Sequence, residues 1–330
     1  MTTLSNQWIR KVNLSVISDK AVINLSDFKI KFSTQNADVE VPDNLVARIY
    51  NLSPNTINQI LSRDKGNLQN LGEFNRVILE AGYEGEGNFG IIFDGTIKQL
   101  RIGRENNINS YVDILASDGD LGYSQSFINE NIKAGETPKD AMQRVADEMN
   151  AKNGQSPSDL NQMFATWSPA YVPVIRGQVL FGMSRSSMRM YSRSLGSQWS
   201  IQNGKVIVTP LTQYASNEVV KINSATGMIG IPEQTDGGIR VRCLLNSKIK
   251  IGQLVELNSN DINQTVNAVS NPSQILYNSR SARQPLAPVS KNGTYMAFVV
   301  EHVGDTRGEE WYTDLICLAI DLTTGKVPGV

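Results

Sequence analysis

The sequence contains one histidine, two cysteines and no long apolar run. His302 alone cannot supply the Cys and His ligand sets of zinc ribbons, fingers and most zinc hydrolases. Histidine is also the commonest general base in enzymes, and this chain has a single one. No segment approaches ~18 unbroken apolar residues, and Met1–Lys11 lacks the apolar core of a secretory signal. We therefore expect a chain that does not span a membrane, stays in the cytoplasm where it is made, and is not an enzyme.

The charge balance and the two cysteines exclude further classes of protein. Lys plus Arg number 31 and Asp plus Glu number 32, so no long-range positive field draws the protein to phosphate backbones, and we expect no specific nucleic-acid binding. Cys243 and Cys317 lie inside apolar stretches, where a thiol behaves as a small buried hydrophobe. A structural disulfide is not expected in a reducing compartment.

What the sequence does contain is a series of short β-rich runs separated by Asp, Asn, Pro and Gly. Alternating and β-branched runs of this length predict antiparallel strands. In the first part of the chain the predicted strands are 12–17, 21–25, 28–33, 45–51, 76–83, 90–101 and 110–117. In the last part they are 218–222, 239–245, 254–257, 295–302 and 311–320.

Helix signals are fewer and concentrate in the middle of the chain. Ser53-Pro54 predicts a short helix among the first strands, and Thr137-Pro138-Lys139-Asp140 predicts a capped helix to about residue 150. The run 184–195 places apolar residues on one face and ends at Gly196. Asn203-Gly204 predicts a type I′ hairpin.

The pattern indicates a mainly β (α+β) chain with two antiparallel β-barrel or sandwich domains and a small helix-containing insert. The predicted domains are 1–125, 126–210 and 211–330. The tract 151–173, rich in Asn, Ser, Gln and Pro, is predicted to be an irregular connection.

A glycine-dense stretch, Gly85–Gly90, has the spacing of the dinucleotide fingerprint. That fingerprint needs a helix to follow it, whereas Ile91–Phe93 begins a β-type run. Glu84 and Glu86 would also repel pyrophosphate. We predict that this stretch, which Gly82 precedes, is a hairpin turn and that the chain has no nucleotide or other cofactor site.

The stretch His302–Trp311 could pair a histidine with carboxylates for acid and base chemistry. Gly304, Asp305 and Gly308 are turn formers between two strand-like runs, and no nucleophile signature lies nearby. We predict a hairpin loop in which Arg307 is solvated or contacts another subunit, and no catalytic residue.

Asp118-Gly119-Asp120, with Asp113 nearby, could suggest calcium. The spacing of an EF-hand loop and its terminal Glu are missing. We predict a turn and no metal site.

Arg185, Arg189 and Arg193 recur every four residues on the third predicted helix. Such a row lies on one helix face and is either solvated or ion-paired with an acidic neighbouring chain. Both interpretations stay open.

Several stretches resemble the baseplate hub (tail hub) proteins of tailed phages, including the hubs of Mu-like and other contractile tails. They are 25–32, 47–53, 79–83, 92–97, 135–141, 199–206, 227–233 and 241–246. The first four are typical of the first tube-like domain of that family, the next two of its inserted segment, and the last two of its second tube-like domain. Their order along one chain extends the resemblance over most of the sequence.

The resemblance implies a structural virion protein of the tail baseplate, assembled in the host cytoplasm. It implies a homotrimer whose two tube-like domains per chain form a pseudo-six-fold ring. One face would accept the hexameric tail tube protein and the other the trimeric central spike protein, beside other baseplate proteins. Our hypothesis is that the loops Glu84–Phe89 and Ser270–Pro288 contact other subunits.

Other functions stay open. A tail-tube or distal-tail ring subunit would also be β-rich but usually needs only one tube-like domain. A cell-wall hydrolase is disfavoured by the single histidine. A receptor- or carbohydrate-binding module would need aromatic side chains clustered on one surface, and core packing is the default for the candidates Trp167, Tyr171, Trp199 and Trp311.

Overall fold

The computed structural model describes residues 9–18, 21–37, 42–61, 75–84, 89–157, 160, 172–210, 216–235, 238–258, 262 and 293–320. The strands are β1 Arg10–Ile17, β2 Val22–Asn24, β3 Ile30–Ala37, β4 Asn44–Tyr50, β5 Arg76–Tyr83, β6 Gly90–Arg104, β7 Ser110–Ser117, β8 Phe127–Ile132, β9 Gln178–Met183, β10 Ser197–Gln202, β11 Lys205–Pro210, β12 Ser216–Lys221, β13 Met228–Thr235, β14 Gly238–Leu244, β15 Gln253–Glu256, β16 Thr294–Asp305 and β17 Trp311–Ala319. The helices are α1 Pro54–Leu61, α2 Asp120–Gln125, α3 Pro138–Lys152 and α4 Ser184–Leu195. The prediction of a mainly β chain with antiparallel sheets is confirmed.

Thirteen of these strands form one sheet, whose main path runs β13-β14-β17-β16-β3-β4-β7-β6-β5-β1-β2. Neighbours along this path pair antiparallel, whereas β12 joins the sheet by parallel pairing with β15. The path therefore connects strands from both ends of the chain. Two small sheets, β8-β9 and β10-β11, stand apart from it.

The first buried cluster lies under the strands of the N-terminal part. Along β3 and β4 every second residue is buried, including Ile30, Phe32, Leu45 and Ala47. A period of two places these side chains on one face of the sheet, so the other face carries the polar residues. Trp311 of β17 also packs into this cluster.

The middle of the chain forms a second buried cluster around α3 and α4. Thr137 caps α3 as predicted and forms a capping box with Asp140: Asp140 N donates to Thr137 Oγ1 at 3.2 Å and Thr137 N donates to Asp140 Oδ2 at 3.0 Å. Asn203 and Gly204 have φ values of 53° and 75° and close the β10-β11 hairpin, as predicted for a type I′ turn. Gly196 ends α4 in the left-handed conformation, with φ 61°.

The third buried cluster lies under β14, β15, β16 and β17 and contains both thiols. Cys243 and Cys317 are buried and free, as the sequence predicts. Burial raises the pKa of each thiol to about 12. In the described part of the chain, no helix is both long and apolar enough to cross a bilayer.

Candidate assembly surfaces

On the polar face of the N-terminal strands lies an arginine that is hydrogen-bonded by an aspartate and stacked on a tyrosine. Arg48 of β4 donates from Nε to Asp113 Oδ1 of β7 at 2.7 Å and from Nη2 to Asp113 Oδ2 at 2.9 Å. Its guanidinium carbon lies 3.9 Å from the centre of the Tyr111 ring. The bonds to Asp113 raise the pKa of Arg48, so its guanidinium stays ionised. A planar guanidinium that is both bidentate and stacked has one defined orientation.

The same contact recurs in the C-terminal strands. Arg242 of β14 donates to both oxygens of Asp314 on β17, at 2.6 Å and 2.8 Å, and lies 4.0 Å from the centre of the Tyr312 ring. These bonds raise the pKa of Arg242. In each case the aspartate follows the stacked tyrosine by two residues, on the strand next to the arginine.

The strands around the two arginines are ordered alike. The N-terminal unit runs β3-β4-β7-β6 and the C-terminal unit runs β13-β14-β17-β16, with antiparallel pairing throughout. A chain that builds the same four-stranded arrangement twice contains an internal structural repeat.

A β-bulge occupies the same place in both units. In the N-terminal unit the pairing passes from Ile97 to Gln99 opposite consecutive residues of β7, so Lys98 is the extra residue. In the C-terminal unit it passes from Ala297 to Val299 opposite consecutive residues of β17. Since a bulge changes the direction of the strand that carries it, the distal halves of β6 and β16 are redirected in corresponding ways while they stay paired with β7 and β17.

Inside the chain, the distal half of β16 pairs with β3, which joins the C-terminal unit to the N-terminal unit. Lys31 Nζ lies 3.4 Å from Asp305 Oδ2 across this junction, and Gln35 Nε2 donates to Glu301 Oε1 at 2.9 Å. His302 in the middle of the junction is only 1% exposed.

The corresponding edge of the N-terminal unit is open. Within the described residues, no strand pairs with the second edge of β6 beyond Ile97, and β13 pairs with β14 alone. Ile102, which occupies the place of His302, is 61% exposed. Among the described residues, the chain thus shows one covered junction, between β16 and β3, whereas the corresponding edges of β6 and β13 have no partner strand.

The sequence of this chain also matches a known protein family over most of its length. A family model described as Baseplate hub gp41 matches residues 9–282. The chain belongs to the baseplate hub gp41 family. The predicted baseplate hub identity is confirmed, and this hub protein is a structural component of phage tails and of the virion. No curated protein matches its sequence.

Solved structures show the same fold at low sequence identity. The 43 kDa tail protein of prophage MuSo2 from Shewanella oneidensis has a TM-score of 0.54 and 7% identity, over 94% of the hub protein and 97% of that chain. A tail protein from Neisseria meningitidis MC58 has a TM-score of 0.51 and 9% identity, over 94% and 96%. The E. coli c3393 protein, a type VI secretion component described as similar to T4 tail proteins gp27 and gp5, has a TM-score of 0.51 and 8% identity, over 92% and 76%.

Polar contacts join the insert and the C-terminal strands of the hub protein to its N-terminal strands. Gly204 N, in the β10-β11 hairpin, donates to Asp118 Oδ1 at 2.6 Å, and Lys250 Nζ donates to Ile91 O at 2.7 Å. Burial, together with the nearby Asp43, raises the pKa of Asp118. These bonds tie the insert and the C-terminal strands to the end of β7 and the start of β6.

The carboxylates considered for calcium have separate roles. Asp113 pairs with Arg48 on the sheet, and Asp118 lies in the polar contact. Gly119, with φ 63°, turns the chain into α2, and Asp120 pairs with Lys98 at 2.6 Å. No group of three or more Cys, His, Asp or Glu that could hold a metal occurs among the residues described.

His302 belongs to the sheet interior. Its Nδ1 lies 2.9 Å from Thr313 Oγ1, and burial, with a smaller effect of Lys250, lowers its pKa to about 3. The predicted hairpin between β16 and β17 is confirmed, and Arg307 on it is exposed. A neutral, fully buried imidazole cannot exchange protons with a substrate.

The other candidate residues are placed as follows. Trp199 and Trp311 are buried in separate clusters, so core packing is confirmed for both. Trp167, Tyr171 and the loop Ser270–Pro288 lie outside the described residues.

β6 starts at Gly90, the last residue of the glycine-dense stretch, and pairs with β5, which confirms the predicted hairpin and puts a strand where a dinucleotide site needs a helix. Residues 85–88, in the loop assigned to subunit contacts, lie outside the described residues. On α4, Arg193 is exposed and Arg185 lies 5.0 Å from the centre of the Tyr123 ring. A contact of this helix with another chain stays a prediction.

The two stacked arginines, Arg48 and Arg242, were not predicted from the sequence. The signal was present as Tyr-x-Asp followed by two aliphatic residues, at Tyr111–Leu115 and at Tyr312–Ile316. A search for internal repeats, made before strand assignment, could have found it.

Proposed function

We propose that three copies of this hub protein form a closed ring in which the N-terminal and C-terminal units alternate, giving six similar positions around one axis. The observation that carries the proposal is the internal repeat: the same strand order, bulge and Arg-Asp-Tyr contact occur twice in one chain. Under this proposal residues 1–125 and 211–330 are the tube-like domains and 126–210 is the insert.

The ring would join two parts of different symmetry. A homotrimer whose chains carry two similar units presents six similar positions to a hexameric tail tube protein and three identical ones to a trimeric central spike protein. The hub then acts by positioning these partners and other baseplate proteins, without catalysis or a cofactor, in a tail assembled in the host cytoplasm. Interfaces that hold such assemblies bury roughly 2,000 Å² or more.

The mass and top-view symmetry of the purified protein test the proposal, measured by light scattering and negative-stain microscopy, alone and with the neighbouring tail proteins. A three-fold ring with a near-hexagonal outline is expected. A six-fold ring would favour a tube or distal-tail subunit instead, and a chain that remains monomeric beside its tail partners would favour a binding module.

A further inference from the structure

We propose that the open edge of β6, residues 101–104, pairs antiparallel with residues 232–235 of β13 in a second copy of this chain. The pairing repeats between chains what β16 and β3 do within each chain. The inference rests on the ring proposed above, and it adds which strands close that ring and in which register.

The internal repeat defines the β6 side of this register. Asp113 corresponds to Asp314 because each binds the stacked arginine of its unit. The two aspartates lie opposite Arg101 and Glu301, so Arg101 occupies the place of Glu301.

The β13 side follows in the same way. Arg48 corresponds to Arg242, and counting four residues back along each strand makes Asn44 correspond to Gly238. Asn44 lies opposite Gln35 and Gly238 lies opposite Thr235, so Thr235 occupies the place of Gln35. Because Glu301 lies opposite Gln35 within the chain, Arg101 is expected opposite Thr235 of the next copy.

The exposure of an apolar side chain on the open edge of β6 supports the proposal that a strand of another chain covers this edge. Ile102 points to the same side of the sheet as the buried Val112, yet 61% of it is exposed, whereas His302 at the covered edge is 1% exposed. An added strand would shield Ile102 while its main chain pairs with the open N–H and C=O groups of β6, except at Pro232, which lies opposite Arg104 and has no N–H to donate.

Side-chain size and charge also fit this register. Gly103, in the place of Val303, would lie opposite Glu233, which corresponds to Ser33. The Tyr111 ring already covers Gly103, with its hydroxyl 2.5 Å from where a Cβ would lie, so the Glu233 carboxylate would lie beside this ring and near the diagonal neighbour Arg101, at a distance that long side chains span.

Cysteine cross-linking tests the register directly. Within the chain, Thr306 N donates to Ile30 O at 3.0 Å, so alternation makes Glu301 and Gln35 a non-hydrogen-bonded pair, whose Cβ atoms lie close enough for a disulfide. The variant Arg101→Cys/Thr235→Cys should therefore form chain-to-chain disulfides on mild oxidation. The native thiols are buried, and their raised pKa keeps them unreactive.

Two matched variants complete the experiment. Gln35→Cys/Glu301→Cys should link within one chain and shows that the oxidation works at this geometry. Arg101→Cys/Gln234→Cys shifts the register by one residue, which puts the two thiols on opposite faces, and should stay unlinked. On a non-reducing gel, we expect linked dimers and trimers for the Arg101→Cys/Thr235→Cys variant only.

The outcomes separate this inference from the ring itself. A trimer in light scattering whose Arg101→Cys/Thr235→Cys chains stay unlinked would overturn the strand pairing and leave the ring standing. A chain that stays monomeric beside its tail partners would overturn both.

A second variant avoids oxidation altogether. Ile102→Asp places a carboxylate where β13 should cover it, and we expect association to weaken on the order of tenfold or more, since burying an unpaired charge is costly. Ile108→Asp, at the 88% exposed tip of the same hairpin, should leave association unchanged. Thermal unfolding of both variants at low protein concentration checks that each still folds. Normal assembly of the Ile102→Asp variant would contradict the pairing.

Discussion

The N-terminal and C-terminal units of the hub protein contain the same four strands, but their outer edges differ. In the C-terminal unit, β16 lies against β3, and His302 is buried beside Thr34. In the N-terminal unit, the same edge of β6 has no partner strand among the described residues, and Ile102 faces solvent. One chain thus displays an edge both with and without its neighbour.

The difference teaches what each edge is suited for. A covered position accepts a histidine because Thr313 offers it a hydrogen bond. An uncovered isoleucine exposes apolar surface to water, which is unfavourable in the single chain. Covering this side chain with another strand removes that unfavourable free energy. The internal junction therefore serves as a template for the contact that the open edge would make.

The largest expected effect comes from truncating the two equivalent core residues. Ile114→Ala and Leu315→Ala should each lower the free energy of unfolding by about 2–5 kcal/mol, because both side chains are fully buried. Since β16 and β3 join the units in one sheet, each variant should shift a single unfolding transition, measured in urea by circular dichroism and tryptophan fluorescence. Two separated transitions would show that the units unfold independently.

A smaller effect is expected at the covered edge alone. A Cβ at Gly304 would overlap the Phe32 ring and approach Trp311 Cε3 to 2.8 Å, so Gly304→Ala should cost about 1–3 kcal/mol by overpacking. Arg104→Ala, at the equivalent exposed position of β6, should stay within about 0.5 kcal/mol of the parent. A loss for Gly304→Ala no larger than that for Arg104→Ala would mean that the covered edge accommodates a Cβ at this position without overpacking.

Local elements of this fold were predictable from the sequence. β5 and β7 were predicted to the residue because apolar side chains alternate between clear turn signals. α1, α3 and α4 begin or end at the predicted Ser, Thr, Pro and Gly signals. Short-range chemistry decides these elements, so a single sequence contains enough information for them.

Other elements depend on contacts that lie far apart in the sequence. β9 was missed because Val179 and Phe181 are apolar yet exposed, which hides the alternation. β8, β13 and α2 were also missing from the strand and helix assignment. The junction of β16 with β3 joins residues such as His302 and Thr34, which are 268 positions apart, and no local pattern encodes such a pairing.

Acid should distinguish the covered edge from the open one. His302 has its pKa lowered to about 3 by burial, against an ordinary value of 6.5. The unfolded chain therefore binds a proton that the folded chain refuses between these values, and stability falls as pH decreases through that window. Between pH 7 and pH 5 the loss from this group is about 2 kcal/mol.

The measurement is the difference between the parent and His302→Gln in unfolding free energy across this pH range. Taking a difference matters because Asp118, with its raised pKa, adds a contribution of opposite sign in both proteins. The unfolding free energy of the variant should lack the decrease of about 2 kcal/mol that His302 contributes between pH 7 and pH 5. Parallel curves would show that the imidazole is protonated in the folded state.

The smallest effect tests whether the two stacked arginines are truly equivalent. Asp113→Asn and Asp314→Asn each remove one carboxylate charge beside an arginine that is more than a third exposed, so each should cost only about 1 kcal/mol. Asp27→Asn, at an exposed site, should change stability by less than about 0.5 kcal/mol. Arg240 also lies 3.6 Å from Asp314, so any excess should appear in the C-terminal unit. A much larger loss at Asp113 than at Asp314 would mean that the two arginine contacts are not equivalent.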